Sequence, residues 1–509
     1  MKSSLVIVYH RQPYEEVVVD GRTEFRENKS PNGIVPSLKS FFGSVDHGSW
    51  VAWKEAEDPD NPDFERRVEI SDSHGDYTVS RLGLTKEQVT QFYHVTSKEA
   101  LWPILHSFPQ NFNYDAVDWE TFREVNRRFA EAACEEAEDD ALIWIHDYNL
   151  WLCPAMIREI KPNAKIAFFH HTPFPAADVF NILPWREEIV DSLLACDMVG
   201  FHIPRYAQNF VGVARALRQV EIESTVAVED TLSPVGTALS EPEMAEVIAH
   251  DGRRILIDAF PVGTNPDLID RHLTSPEAAE RIAKIRREIG EDQTLILSVG
   301  RTDYTKGTAE LLDAYDRLLD RRPELRGKVK LMVTSVQANQ NMTVYRETQE
   351  EIDRMVGSIH GRYATLDWGP IMHFSTPIPF DELVCYFRAA DICWTTPLRD
   401  GLNLVAKEYI ASHKGEGGVL VLSEFTGVAA ELQHAVPTNP YVSDSLAESI
   451  DAALAMDPAE QRTRMAAMYE NVCKYDIGHW AEHIFAQFDR VRPLRHGDAP
   501  TPAPATAAE

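Results

Sequence analysis

The chain has 509 residues, too many for one ordinary core, so two domains of roughly 200 or more residues each are expected. Hydrophobic residues at 44% and charged residues at 26% describe a folded globular protein and exclude disorder away from the ends. A net charge of -30, with no stripe of Lys and Arg among aromatics, excludes nucleic acid as a partner, and no apolar run approaches the eighteen or so residues of a membrane span.

In chain order, Lys2 precedes an apolar run at residues 5–9 that stops at His10 and Arg11. This run is too short for a signal-peptide core and predicts a first β-strand. The acidic stretch 55–63, with Pro59 and Pro62, predicts a solvated loop with nothing to fix a metal geometry. Further apolar runs at 141–145, 165–169, 198–201, 294–299, 329–333, 391–394 and 418–422 alternate with helical patterns. That alternation predicts an α/β chain with mainly parallel sheets. Thr308 is a candidate N-cap for a helix with Leu311, Leu312, Tyr315, Leu318 and Leu319 on one face. A second helix carries Tyr345, Ile352, Met355, Val356 and Ile359.

The domain boundary is expected at residues 259–265, giving an N-terminal domain over 1–260 and a C-terminal domain over 261–492 whose last helix is able to pack back on the first. Residues 493–509, rich in Pro and Ala, predict a disordered tail. The six cysteines are scattered without a C-x-x-C spacing and are expected to be buried thiols in a reducing compartment, the cytoplasm.

In open α/β sheets ligands gather at the carboxyl ends of strands. There this sequence puts His146 and Asp147, His170 and His171, Arg301, and Arg399 and Asp400. Arg301 and Lys306, within Gly300-Arg-Thr-Asp-Tyr-Thr-Lys-Gly307, suit a diphosphate that gains charge as it leaves, or are two surface cations of a connecting loop. Residues 396–409 read as strand, glycine turn and helix, with free N–H groups near Asn403, Leu404 and Val405 able to hold phosphate oxygens. Asp400 fits either a sugar-hydroxyl acceptor or a turn residue, and Glu408 either a ribose-diol acceptor or a solvated helix residue. No G-x-G-x-x-G follows a strand, which disfavours a nucleotide-dependent dehydrogenase.

These segments, together with His146-Asp-Tyr-Asn-Leu150 and Phe168-Phe-His-His-Thr-Pro-Phe-Pro175, resemble the motifs of the trehalose-phosphate synthase family of retaining glucosyltransferases, in the same order and over residues 4–490. Ser30-Pro-Asn-Gly33, Tyr93-His94, residues 101–109 and residues 180–186 resemble the glycerol-phosphate branch of that family. The resemblance implies a GT-B fold: two Rossmann-like domains facing across a cleft. It also implies that Asp147, His171, Arg301, Lys306 and Asp400 are catalytic, and that the donor is held by His171, Arg301, Lys306, Asp400, Gly401, Asn403, Leu404, Val405 and Glu408. Arg11, Gly33, Tyr93, Trp102 and Asp147 would form the acceptor side, although Gly33 alone reads equally as a turn glycine and Tyr93 and Trp102 as core aromatics.

The implied substrates are ADP-glucose, with UDP- or GDP-glucose as alternatives, and sn-glycerol 3-phosphate. No cofactor or metal is implied, though a divalent cation could stimulate, and oligomeric state is not indicated. One departure bears on the acceptor. Where trehalose-phosphate synthases carry an Arg for the phosphate of glucose 6-phosphate, this chain has Asn339, which cannot replace a guanidinium fork. The competing readings are a trehalose-phosphate synthase, a pseudo-glycosyltransferase, and a catalytically silent nucleotide-sugar-binding relative. No phosphatase-like D-x-D follows an apolar strand, so a separate phosphatase would remove the product's phosphate.

Overall fold

A computed structural model describes residues 2–19, 22–27, 34–336 and 343–490. Gly33, Asn339 and the expected tail at 493–509 lie outside the described residues.

All eight apolar runs form strands, because side chains on both faces are buried by helices and a continuous apolar sequence is what that burial requires. The first sheet has ten strands. Its parallel centre runs Arg253–Ala259, Met198–Phe201, Lys165–His170, Ala137–His146, Ser3–Val8, Gly48–Glu55 and Gly75–Leu84. Antiparallel strands close its edges: Arg67–Asp72 on one side, Glu243–His250 and Glu221–Ala227 on the other. The second sheet, wholly parallel, runs Ile371–Phe374, Val329–Val336, Thr294–Arg301, Ile392–Thr395, Val419–Ser423 and Val436–Thr438. This is the two-sheet GT-B architecture.

Alternation along the first strand divides the core. Val6 and Val8 pack with the helix Trp119–Glu136, which Asp118 caps through Glu120 N and Thr121 N. Leu5 and Ile7 face the opposite layer, which the last helix, Ile477–Arg490, helps to cover. Trp480 of that helix lies 5.8 Å from the Trp144 ring and 5.7 Å from the Phe169 ring. His483 meets Asp258 at 2.9 Å and Arg490 meets Glu246 at 2.6 Å.

The chain passes from the first sheet to the second at residues 260–265 and crosses back at residues 475–477. The two crossings touch: Ile477 N donates to Thr264 O at 2.9 Å, and a Cβ on Gly263 would lie 2.0 Å from the Asp476 carbonyl carbon. Only glycine fits that approach. Beside it, the fully buried Lys407 ammonium donates to Val262 O at 2.9 Å and pairs with Glu431 at 2.8 Å.

Two expectations are corrected. Thr308 is the first residue of the helix Thr308–Arg321 and its cap is Gly307, left-handed at φ 65°, where a Cβ would strike Thr396 O. Five cysteines are buried, but Cys473 is exposed. Among the described residues no helix is long and apolar enough to cross a membrane.

Candidate active site

The carboxyl ends of both sheets face one another across a cavity of about 540 Å³. From the first sheet it is lined by His171 and His202, and from the second by Arg301, Lys306, Asp400, Asn403, Leu404, Val405 and Glu408. Pro377, Ile378 and Leu383 add an apolar wall.

Asp400 is held between two partners. Lys306 donates to its Oδ2 at 2.8 Å and Asn403 Nδ2 donates to the same oxygen at 3.1 Å. Burial alone would raise the Asp400 carboxyl, but the Lys306 ammonium prevails and its pKa is lowered, so the group is a carboxylate. Asn403 also caps the helix Leu404–Ala411 by accepting from Ala406 N at 3.1 Å, at φ 85°. The side chain that ends the turn therefore also orients Asp400, while the helix N-terminus faces the cavity. Gly401 does not line the cavity. A Cβ there would lie 2.5 Å from His171 O, so the glycine lets the two halves meet at backbone distance.

The histidines form a buried relay. His146 Nδ1 and His171 Nε2 share a hydrogen bond at 3.1 Å, and the His171 and His202 rings lie 5.4 Å apart. Burial pushes all three pKa values down, His202 to about 3, so they serve as neutral donors and acceptors. His171 Nδ1 and His202 Nδ1 have no protein partner, and both residues line the cavity. His170 faces the other way, 5.6 Å from the Trp151 ring and 5.3 Å from the Phe174 ring, inside the hydrophobic layer.

The residues expected on the acceptor side cluster at the ends of Ser3–Val8 and Ala137–His146. Arg11 Nη2 donates to Tyr93 OH at 3.3 Å. Asp147 is buried with φ 71°, a strained conformation for a non-glycine residue, and burial raises its carboxyl to about 6. Trp102 is buried with its indole N–H unpartnered and carries the Lys98 ammonium 3.6 Å from its ring centroid. Tyr93 would be raised by burial, but Lys98 and Arg11 bring it down to about 8.

Thus the described residues expected on the donor and acceptor sides lie at these two neighbouring places, with Gly401 behind rather than in the cavity, while the strand-end candidate His170 is turned away from it. Sequence reasoning passed over His202 and Lys98. The strand-end rule, applied to the run at 198–201, points to His202. Nothing in the pattern marks Lys98, which lies where the helix widens to π spacing over Thr90–Leu101, a distortion common at functional sites. The described residues contain one group with metal-ligand spacing, Glu27, Asp72 and His74. The Lys39 ammonium sits 2.5 Å from Asp72 there, and none of the group lines the cavity.

A family model described as Glycosyltransferase family 20 matches residues 3–490. The chain is 55% identical to the glucosylglycerol-phosphate synthase of Synechocystis sp., with 96% of this chain and 97% of that protein covered. It is 54% identical to the glucosylglycerol-phosphate synthase of Picosynechococcus sp., with 99% and 100% covered. Among solved structures it is similar to the one described as trehalose-6-phosphate from E. coli bound with UDP-2-fluoro glucose, at a TM-score of 0.83 and 28% identity over 96% of this chain and 99% of that one.

Proposed function

The chain belongs to glycosyltransferase family 20, and from that premise we propose that it transfers glucose, with retention, from ADP-glucose to sn-glycerol 3-phosphate, giving 2-O-(α-D-glucosyl)glycerol 3-phosphate. The observation that carries this reading is a set of cations left without carboxylates. The sequence holds 80 acidic against 50 basic residues, yet among the described residues neither Arg301 nor Arg11 forms an ion pair. Arg301 also lines the cavity, and an unpaired cation in the cleft of an acidic protein supports an anionic substrate there.

In this reading Arg301 and Lys306 hold the donor's diphosphate and the N-terminus of Leu404–Ala411 adds backbone N–H groups. The apolar wall of Pro377, Ile378 and Leu383 receives the base, and Glu408 receives the ribose. Asp400 and His171 hold the glucose. The acceptor hydroxyl attacks the anomeric carbon from the face that the diphosphate leaves. A new carbon–oxygen bond forms as the bond to the diphosphate breaks, and the hydroxyl proton passes to the departing diphosphate oxygen. Asp147, a carboxylate at neutral pH, orients that hydroxyl by accepting from it. The enzyme's contribution is position and charge.

The relatives named glucosylglycerol-phosphate synthase support glycerol 3-phosphate as acceptor, as does the neutral Asn339. The phosphate survives the reaction, so a separate phosphatase in the same compartment, the cytoplasm in this reading, consumes the product. The deciding experiment supplies glycerol 3-phosphate and glucose 6-phosphate at equal concentration and follows ADP release from ADP-glucose. Faster release with glycerol 3-phosphate is expected. Faster release with glucose 6-phosphate would replace this reading with trehalose-phosphate synthesis, and the same assay with UDP-glucose tests the base.

A further inference from the structure

Lys98 is a cation that the reading above leaves without a role. Its side chain is buried, with 8% of the residue exposed. The ammonium lies 3.6 Å from the Trp102 ring centroid, 5.8 Å from that of Tyr93 and 5.9 Å from that of Tyr148. Among the described residues no carboxylate forms an ion pair with it. Other buried lysines of this protein are answered: Lys407 by Glu431 and Lys39 by Asp72.

A buried ammonium set against aromatic rings gains a cation–π attraction but loses its hydration. Were its purpose only to cover Trp102, a Met or Leu would do so without that cost. The surroundings add to the imbalance. Burial brings the Lys98 pKa down to about 8, and two further cations, Arg301 and Arg11, oppose its charge, while Tyr93 and Asp303 favour it. Lys98 thus has Arg11 beside it and Arg301 within reach of its charge, and a phosphomonoester dianion placed between Lys98 and Arg11 would relieve their repulsion.

We propose that Lys98, resting on Trp102 in the free protein, grips the phosphate of the acceptor together with Arg11 and so sets the choice of a short phosphorylated acceptor. This rests on the acceptor assignment made above. Shortness follows from placement: Lys98 lies 5.8 Å from the Tyr93 ring whose hydroxyl Arg11 bonds and 5.9 Å from the ring of Tyr148, which follows Asp147 in the chain, so phosphate and hydroxyl are held close together. In glycerol 3-phosphate the attacking oxygen is separated from phosphorus by fewer bonds than in glucose 6-phosphate.

The test uses the full chain with Lys98→Met and Lys98→Arg. Steady-state kinetics with ADP-glucose are measured against glycerol 3-phosphate and against glycerol, and ADP affinity is measured by calorimetry. Loss of a charge-assisted contact is expected to raise the KM for glycerol 3-phosphate about tenfold to a hundredfold in Lys98→Met. Use of unphosphorylated glycerol and ADP affinity should stay within about twofold of the native protein, and Lys98→Arg should restore most of the loss. A merely structural lysine would weaken both acceptors alike, and that outcome overturns the proposal, as does an unchanged KM for glycerol 3-phosphate. If Lys98→Met does not fold, Lys98→Gln carries the same comparison. Native protein that prefers glucose 6-phosphate would refute the acceptor assignment itself. Native preference for glycerol 3-phosphate with an indifferent Lys98→Met would refute only the role of Lys98.

Discussion

Arg301 and Lys306, paired by sequence as diphosphate ligands, differ in what surrounds them. Arg301 is exposed in the cleft and unpaired, whereas Lys306 is bound to Asp400 at 2.8 Å. Arg301→Ala therefore removes only a contact to the ligand. Turnover at saturating donor should fall by about a hundredfold or more while the thermal midpoint stays within a degree or so. Lys306→Ala removes the same kind of contact and also leaves the partly buried Asp400 carboxylate without its cation, so its midpoint should fall as well. Near-native turnover in Arg301→Ala would remove the residue from the diphosphate site. Asp147 gives a pH signature. With its carboxyl raised to about 6 by burial, it is ionised at neutral pH and takes up a proton as pH falls through that value. Protonation removes the lone pair offered to the acceptor hydroxyl, so kcat/KM for the acceptor should decline below about pH 6. In Asp147→Asn activity should be low throughout and that acid limb absent.

The turn at residues 400–404 joins helix capping to the orientation of Asp400. Asn403 bears the strain of a positive φ while its side chain caps the helix and bonds Asp400. Asn403→Ala should lose about 1 kcal/mol of stability from the cap, and more from an alanine forced into that conformation. Asn403→Gly should recover part of the stability without recovering activity, because Asp400 has still lost its amide. Urea unfolding beside turnover reads both. At this scale the sequence was most legible where burial is two-sided. Runs such as 141–145 stand out because every position is apolar. Gly48–Glu55, Arg67–Asp72 and Gly75–Leu84 did not stand out, since charged and polar residues interrupt them toward the sheet's edge. The strand-end rule found Asp147, His171, Arg301 and Asp400 for a geometric reason: parallel strands deliver their carboxyl ends to one edge. Lys98 escaped it because a lysine in a helix reads as solvated, and only the packing of Trp102 beneath it reveals otherwise.

For the whole molecule, the two sheets contribute facing halves of one site, so ligand binding is expected to draw them together. Solution scattering with ADP and glycerol 3-phosphate should show a smaller radius of gyration than the free protein, and unchanged scattering together with unchanged protease sensitivity would count against closure. Gly263→Val should uncouple the crossings at Asp476 and destabilise the protein by more than an ordinary surface substitution, as read by thermal unfolding.

The clasp of Gly263 on Asp476 has a mechanical meaning. The halves also touch where Gly401 meets His171 and where Tyr206 OH donates to Asp400 O at 3.0 Å, so turning about the crossings, as about an axle, would have to change those contacts. The axle is gripped by Lys407 through the Val262 carbonyl, and Lys407 stands on the helix Leu404–Ala411 whose first residues line the donor cavity. That helix is a crank: about 5 Å of rigid rod joins the end that lines the cavity to the turn that holds the axle. Coupling of donor occupancy to the angle between the halves is the expected consequence: a change in the grip at Lys407, which lines no part of the cavity, should then be felt as a change in donor affinity.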